Sequence, residues 1–195
     1  MKTNTKKLTL NAILLAMGLL IHQITPAIGL PMKPDVPLAM LFVILVLNRD
    51  DYKTCLIAGI VTGIFTALTS SFPGGQIPNV IDKTLTANIV FLLMNISYNM
   101  PFIKKLAKKT QDTVVVAIIM PIGTLVSGTI FLLAAQAIVG LPGASFTALF
   151  LAVVLPAVLI NLVAGIFLFK IVSLSIRRVS YFSYKHLTLP TLYLL

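Results

Sequence analysis

Six apolar runs separated by short polar segments constrain this chain more than any other feature. They cover about Leu8–Pro26, Val36–Asn48, Thr54–Phe72, Ile77–Tyr98, Thr113–Val139 and Phe146–Ser173. A helix that crosses a bilayer needs roughly 20 residues, since each adds ~1.5 Å toward a hydrocarbon core about 30 Å thick. Five runs are long enough. The second has only about 13 clearly apolar residues, too few by the same measure, and charge decides its reading. If all six cross and the N-terminus is cytoplasmic, the inside holds Lys2, Lys6, Lys7, Arg49, Lys53, Lys104, Lys105, Lys108, Lys109, Lys170, Arg177, Arg178 and Lys185. The outside holds only Lys33 and Lys83. Cytoplasmic loops carry the excess of Lys and Arg. A re-entrant second run would put the Lys104–Lys109 cluster outside, against that rule. The sequence therefore predicts an all-α polytopic membrane protein with six transmembrane helices and both termini cytoplasmic. Residues 1–178 form the membrane domain and 179–195 a cytoplasmic tail.

Composition agrees. The chain is 58% hydrophobic and 10% charged, with a mean hydropathy of +1.02. Soluble domains use roughly 45–50% apolar and about 25% charged residues. Almost the whole chain is membrane domain, and no soluble ATPase or catalytic domain fits beside it. The net charge of +10 does not imply nucleic acid, because the basic residues sit between the apolar runs. No small-residue cleavage site follows the first run, so it reads as a retained span rather than a signal peptide. Cys55, the lone cysteine, excludes an internal disulfide and a cysteine-cluster metal site.

Polar groups at membrane depth are costly and mark candidate sites. The chief one is the island Phe72–Lys83, with a Gly/Pro turn, Gln76, Asn79 and the adjacent pair Asp82–Lys83. Lys33 and Asp35 on the first outer loop supply a second acid–base pair. Two acids and two bases favour a neutral zwitterionic or polar solute. The alternative is an internal salt-bridge network that anchors the loops. Asn79 and Lys83 are four apart and share a helix face, while Gln76 can instead cap the helix. Asn88 shares the loop and helix of Gln76 and Asn79, while Asn161 and Gln136 either line a pocket or hydrogen-bond a neighbouring helix. His22 reads as a structural hydrogen bonder. Phe72, Phe91, Phe131 and Phe146 lie at depths where they could stack on an aromatic solute. Pro121 and Pro156 fall inside the last two spans and favour kinks.

Ala12 and Ala16 form a small-xxx-small pair in the first span, and Gly59 and Gly63 a G-x-x-x-G in the third; both allow close helix approach. No Walker A loop, H-E-x-x-H or G-x-S-x-G is present, and no paired Ser/His/Asp arrangement, so the chain does not read as an enzyme.

The basic lead-in and first helix, Lys7-Leu8-Thr9-Leu10-Asn11-Ala12-Ile13-Leu14-Leu15-Ala16, resemble the start of a substrate-binding S component of an energy-coupling factor transporter. The stretch from Pro156 through Asn161-Leu162-Val163-Ala164-Gly165-Ile166 is also S-component-like. Within that group, Met32-Lys33-Pro34-Asp35, Gly59–Gly63 and the island Phe72–Lys83 are most similar to the TrpP tryptophan transporter family. The resemblance spans roughly residues 7–175. It implies capture of L-tryptophan at a prokaryotic cell membrane, with Lys33 and Lys83 toward the carboxylate and Asp35 and Asp82 toward the ammonium. Asn79, Gln76 and Asn161 would complete the polar contacts. It further implies that Ala12 and Ala16 meet a transmembrane coupling protein, and that two cytoplasmic ATPases hydrolyse ATP, with no cofactor held in this chain. The alternatives are an ion-coupled secondary amino-acid carrier, an S component for a vitamin-like solute, and a membrane protein that transports nothing.

Overall fold

The computed structural model describes residues 5–25, 35–141 and 145–188. The described residues form helices and connecting turns, with no strand among them. The helices are α1 (Thr5–Ile24), α2 (Val36–Leu47), α3 (Tyr52–Leu68), α4 (Gln76–Asn99), the short α5 (Pro101–Lys104), α6 (Lys108–Ile138), the short α7 (Phe146–Leu149) and α8 (Leu155–Thr188). A π-helical turn, Phe150–Val154, joins α7 to α8. Four segments are long and apolar enough to cross a membrane: Thr5–Ile24, Gln76–Asn99, Lys108–Ile138 and Phe146–Ile176. Helices α2 and α3 are apolar but shorter. The boundary expected at 178 falls within α8, which continues to Thr188.

The short α2 sits at the centre. It packs against α1, α3, α4, α6 and α8, and its side chains from Leu38 to Leu45 are at most 1% exposed. A helix that is apolar on every face needs apolar surroundings, and here the surrounding helices supply them. Asp35 starts α2 by accepting from the Leu38 backbone N–H at 3.2 Å, with Pro37 in the first turn, where its missing donor costs nothing. At the other end, Asn48 Nδ2 donates to Ile44 O at 2.8 Å and Asn11 Oδ1 at 2.9 Å. Helix α1 lies at the edge. Only Asn11, Leu14, Gly18 and His22 are buried along it, a single stripe at helical spacing.

Helices α3 and α4 approach closely through the G-x-x-x-G pair. A Cβ on Gly59 would lie 2.5 Å from Ala87 Cβ, and one on Gly63 would lie 3.0 Å from Val80 Cα. The motif therefore serves intramolecular packing. In the turn before α4, Gly74 has φ of 72°, a left-handed conformation that glycine adopts without a Cβ penalty.

Contacts divide the bundle into two ends. At one, Tyr98 Oη donates to Asp112 Oδ1 at 2.7 Å, and Arg49 pairs with Asp112 at 3.7 Å while lying 4.6 Å from the Tyr98 ring centre. Lys104, Lys105, Lys108 and Lys109 lie close to this network in sequence. At the other end are His22 with Thr69, Asp35 with Lys83, and Gly74 beside Val139.

Helix α6 runs through Pro121 and α8 through Pro156. The π turn ends just before Pro156. Proline lacks a donor and its ring clashes with the carbonyl four residues earlier, here that of Ala152. The wider π turn accommodates this local mismatch. The kink expected at Pro156 thus takes the form of a changed helical pitch.

Candidate functional site: a charged cavity with an aromatic wall

The second end of the bundle holds a cavity with about 710 Å³ of empty space, counting its open mouth. The space open to the centres of water-sized molecules is about 90 Å³. Helices α2, α3, α4, α6 and α8 and the turn before α4 all contribute to its lining.

One wall is ionic. Asp82 and Lys83 are buried, at 0% and 2% exposure. The Lys83 ammonium donates to Asp35 Oδ2 at 2.5 Å, to Asp82 Oδ2, and to Ser127 Oγ at 3.2 Å. A lysine ammonium has three donors, so all are engaged. Asp82 Oδ2 also accepts from the Ser127 hydroxyl at 2.8 Å, and its Oδ1 accepts from Thr86 at 2.9 Å. Asp35 is the most accessible member, with its side chain 27% exposed. The triad sets two carboxyl groups against one ammonium. Its spare capacity lies on oxygen acceptors, which suits an incoming ammonium.

The opposite character comes from Phe72 and Phe131. Their rings meet edge to face, with centres 5.5 Å apart and planes at 84°, the arrangement the ring quadrupoles favour. Gly128 sits between Ser127 and this aromatic wall on α6. A Cβ there would be 2.5 Å from Val154 Cγ1, so the glycine lets the π turn close the cavity's side.

Of the residues expected from sequence, Asp35, Asn79, Asp82, Lys83 and Asn161 converge on this cavity. Asn79 is buried and donates from Nδ2 to Gly75 O at 2.7 Å. Gln76 does not converge. It is exposed and outside the lining, and Gly75, not its side chain, stands at the helix cap. It is the first residue of α4, and although it stands three and seven residues from Asn79 and Lys83 its side chain is exposed at the helix end. Lys33 lies outside the described residues; among the described residues Asp35 pairs with Lys83. The alternative of an internal network tying the first loop to the bundle is thus present as geometry.

The other candidates divide among packing contacts, exposed positions and the cavity edge. Tyr52 donates to Asn88 Oδ1 at 2.5 Å, and Tyr52 also packs against Phe91, away from the cavity. Gln136 is exposed. Phe146 stacks on Phe150. His22 lines the cavity and its Nδ1 lies 2.7 Å from Thr69 Oγ1. That hydroxyl donates to Phe65 O, so the ring N–H is the donor to Thr69. Ala12 and Ala16 are exposed on the outer side of α1.

Residues that sequence reasoning missed are the hydroxyls Thr66, Ser70, Ser71, Thr124 and Ser127. Thr124, Ser127, Gly128 and Phe131 recur at helical spacing, one face of α6. That small and polar stripe in an apolar run was the available signal.

Comparison with known proteins gives the same direction. The family model described as "Tryptophan transporter TrpP" matches residues 4–177. A "Probable tryptophan transport protein" of Clostridium perfringens is 50% identical over 92% of this chain and 97% of its own length. Proteins of the same description from Clostridium acetobutylicum and Bacillus subtilis are 47% and 43% identical, over 92% and 91% of this chain and 98% and 96% of theirs. No solved structure matches significantly. With a match that runs nearly end to end and a buried ionic cavity inside an apolar helical bundle, this chain belongs to the TrpP tryptophan transporter family.

Proposed function

We propose that this protein captures L-tryptophan from outside the cell and acts as the S component of an energy-coupling factor transporter in the plasma membrane. The observation that carries the reading is one cavity with a buried Asp35–Lys83–Asp82 wall and a Phe72–Phe131 wall. A zwitterion with an aromatic side chain needs both. Its ammonium meets the carboxylate oxygens of Asp35 and Asp82. Its carboxylate must compete with Asp35 for Lys83, or turn to Lys33. Asn79 and Asn161 add amide contacts, and the indole lies among the apolar side chains.

In this reading all six long and short apolar helices cross, and both termini are cytoplasmic. The clustering of basic side chains at the end opposite the cavity supports that orientation. Ala12 and Ala16, exposed on α1, leave a smooth strip for a transmembrane coupling protein. Two ATPases would bind that protein and drive release inside.

The ion-coupled carrier is favoured by one observation, the excess carboxylate at the buried triad, which could carry a proton or sodium. Titration of the purified protein with L-tryptophan by calorimetry, followed by uptake into vesicles, separates these. Binding without ATP or sodium, and uptake only with coupling protein and ATPases, supports the S component. Uptake by this chain alone under an ion gradient would establish the carrier. No heat with tryptophan would sink the solute assignment and direct the titration to other amino acids and vitamins.

A further inference from the structure

Asn161 on α8 is 1% exposed and borders the cavity. Its Nδ2 donates to Thr124 Oγ1 at 3.2 Å. The Thr124 hydroxyl donates its single hydrogen to Met120 O at 2.7 Å, so Thr124 Oγ1 can only accept from Asn161. That fixes which end of the amide faces α6. Asn161 Oδ1 is then left without a hydrogen-bond partner, alone among the buried side-chain polar atoms of the described residues. Buried acceptors are almost always satisfied, and an exception calls for a partner supplied from elsewhere.

The surroundings define that partner. The nearby cavity lining on the π turn and α8 is apolar, comprising Val153, Val154 and Ala157. A neutral N–H on a flat apolar group fits there better than an ammonium, which has the Asp35–Asp82 carboxylates to meet. Thr124 and Ser127 are three residues apart on α6, about 4.5 Å along the axis. The amide and the ionic triad therefore stand about one turn apart, the kind of separation that a side chain spans from its own head group.

We propose that Asn161 Oδ1 accepts the indole N–H of the bound amino acid and sets selectivity for indole over rings without a donor. This rests on the tryptophan reading above. Thr124 is a positioning residue, holding the amide with its oxygen toward the ligand.

The test is calorimetric titration of the full-length protein in detergent with L-tryptophan and with β-(3-benzothienyl)-L-alanine, in which sulfur replaces the N–H at nearly constant shape. The wild type should bind the sulfur analogue about tenfold to a hundredfold more weakly, because the buried oxygen then stays unpaired. In Asn161→Leu the ratio should fall to about one, through loss of tryptophan affinity. Thr124→Val keeps the amide but frees its orientation, and should narrow the ratio in a protein with an unaltered amide. This variant decides the matter where Asn161→Leu does not fold. Equal wild-type affinity for the two ligands would overturn the assignment while leaving the tryptophan reading intact. So would a wild-type ratio retained in both variants, or in Thr124→Val alone if Asn161→Leu does not fold. Absence of tryptophan binding would remove that reading, and this assignment with it.

Discussion

Replacing Lys83 with methionine should destabilise the bundle more than any other single change at the cavity. The methionine fills the lysine's space but withdraws the one cation from between two carboxylates. Asp35 Oδ2 loses its partner at 2.5 Å, Ser127 Oγ loses a donor at 3.2 Å, and Asp82 loses its one counter-charge among the described residues. Asp82 is fully buried and retains only the Ser127 and Thr86 hydroxyls. Breaking a buried ion pair from one side costs roughly 3–5 kcal/mol, because the remaining charge is left uncompensated. That is a large part of a total stability of about 5–15 kcal/mol. For a chain of this size it corresponds to a thermal midpoint lower by about 6–20 °C. Thermal unfolding in detergent reads it directly. The logic has an internal check. Lys83→Met with Asp82→Asn removes the stranded charge together with the cation, so the double variant should unfold at a higher temperature than Lys83→Met alone. The coupling should be about 1–3 kcal/mol, as expected of residues in one network. A midpoint lowered by less than about 2 °C in Lys83→Met, or strictly additive effects in the pair, would show that the triad is solvated and contradict its burial.

Gly59→Ala should lower stability by roughly 1–3 kcal/mol through overpacking, since the new methyl would lie 2.5 Å from Ala87 Cβ. Adding Ala87→Gly should recover most of the loss in the same melting assay, and a pair no better than the single variant would locate the α3–α4 contact elsewhere. Ala12→Leu with Ala16→Leu should leave melting and tryptophan binding unchanged, because both positions are exposed, yet abolish uptake in cells; normal uptake would exclude this strip as the coupling interface. Asp51 caps α3, accepting from the Thr54 hydroxyl at 2.8 Å and the Thr54 backbone N–H at 3.2 Å. These bonds, the hydroxyl's first, hold its carboxyl below the ordinary value of 3.8. A depressed folded-state value means that the cap's charge-dependent contribution is present above about 3.8 and disappears as pH falls through the folded value. Asp51→Ala should therefore cost about 1 kcal/mol at neutral pH, with the difference from wild type shrinking in acid; a difference constant with pH would contradict the ionised cap.

What was legible in the sequence and what was not divide along one physical line. Along a single helix, spacing and composition are informative. The apolar runs marked every long helix, including the short α2 from Val36. The cost of burying charge pointed to Asp82 and Lys83, and four-residue spacing put Asn79 on their face. Depth in the spans marked Phe72, Phe91, Phe131 and Phe146 alike, and the structure brings Phe72 and Phe131 to the cavity. Between helices the sequence is nearly silent, because in an apolar chain a lipid-facing leucine and a core leucine look alike. Nothing in the run Leu38–Leu45 says that α2 is enclosed on all sides while α1 lies at the edge.

The same silence covers partner choice. Among the described residues Asp35 pairs with Lys83, 48 positions away in sequence, because the α2 cap places the Asp35 carboxylate against α4. Gln76 was grouped with its neighbours by proximity, but it stands at the first position of α4, where its side chain is exposed and outside the lining. Asn161 was one of several amides in apolar runs. Only packing against Thr124, whose hydrogen is committed to Met120, distinguishes its oxygen from the others. The sequence by itself determined that the chain is a helical membrane protein with charges that must be buried. The tertiary structure decided which charges meet and which buried polar atom is left without a partner among the described residues, since those outcomes depend on the angles and distances between helices that no single-helix periodicity encodes.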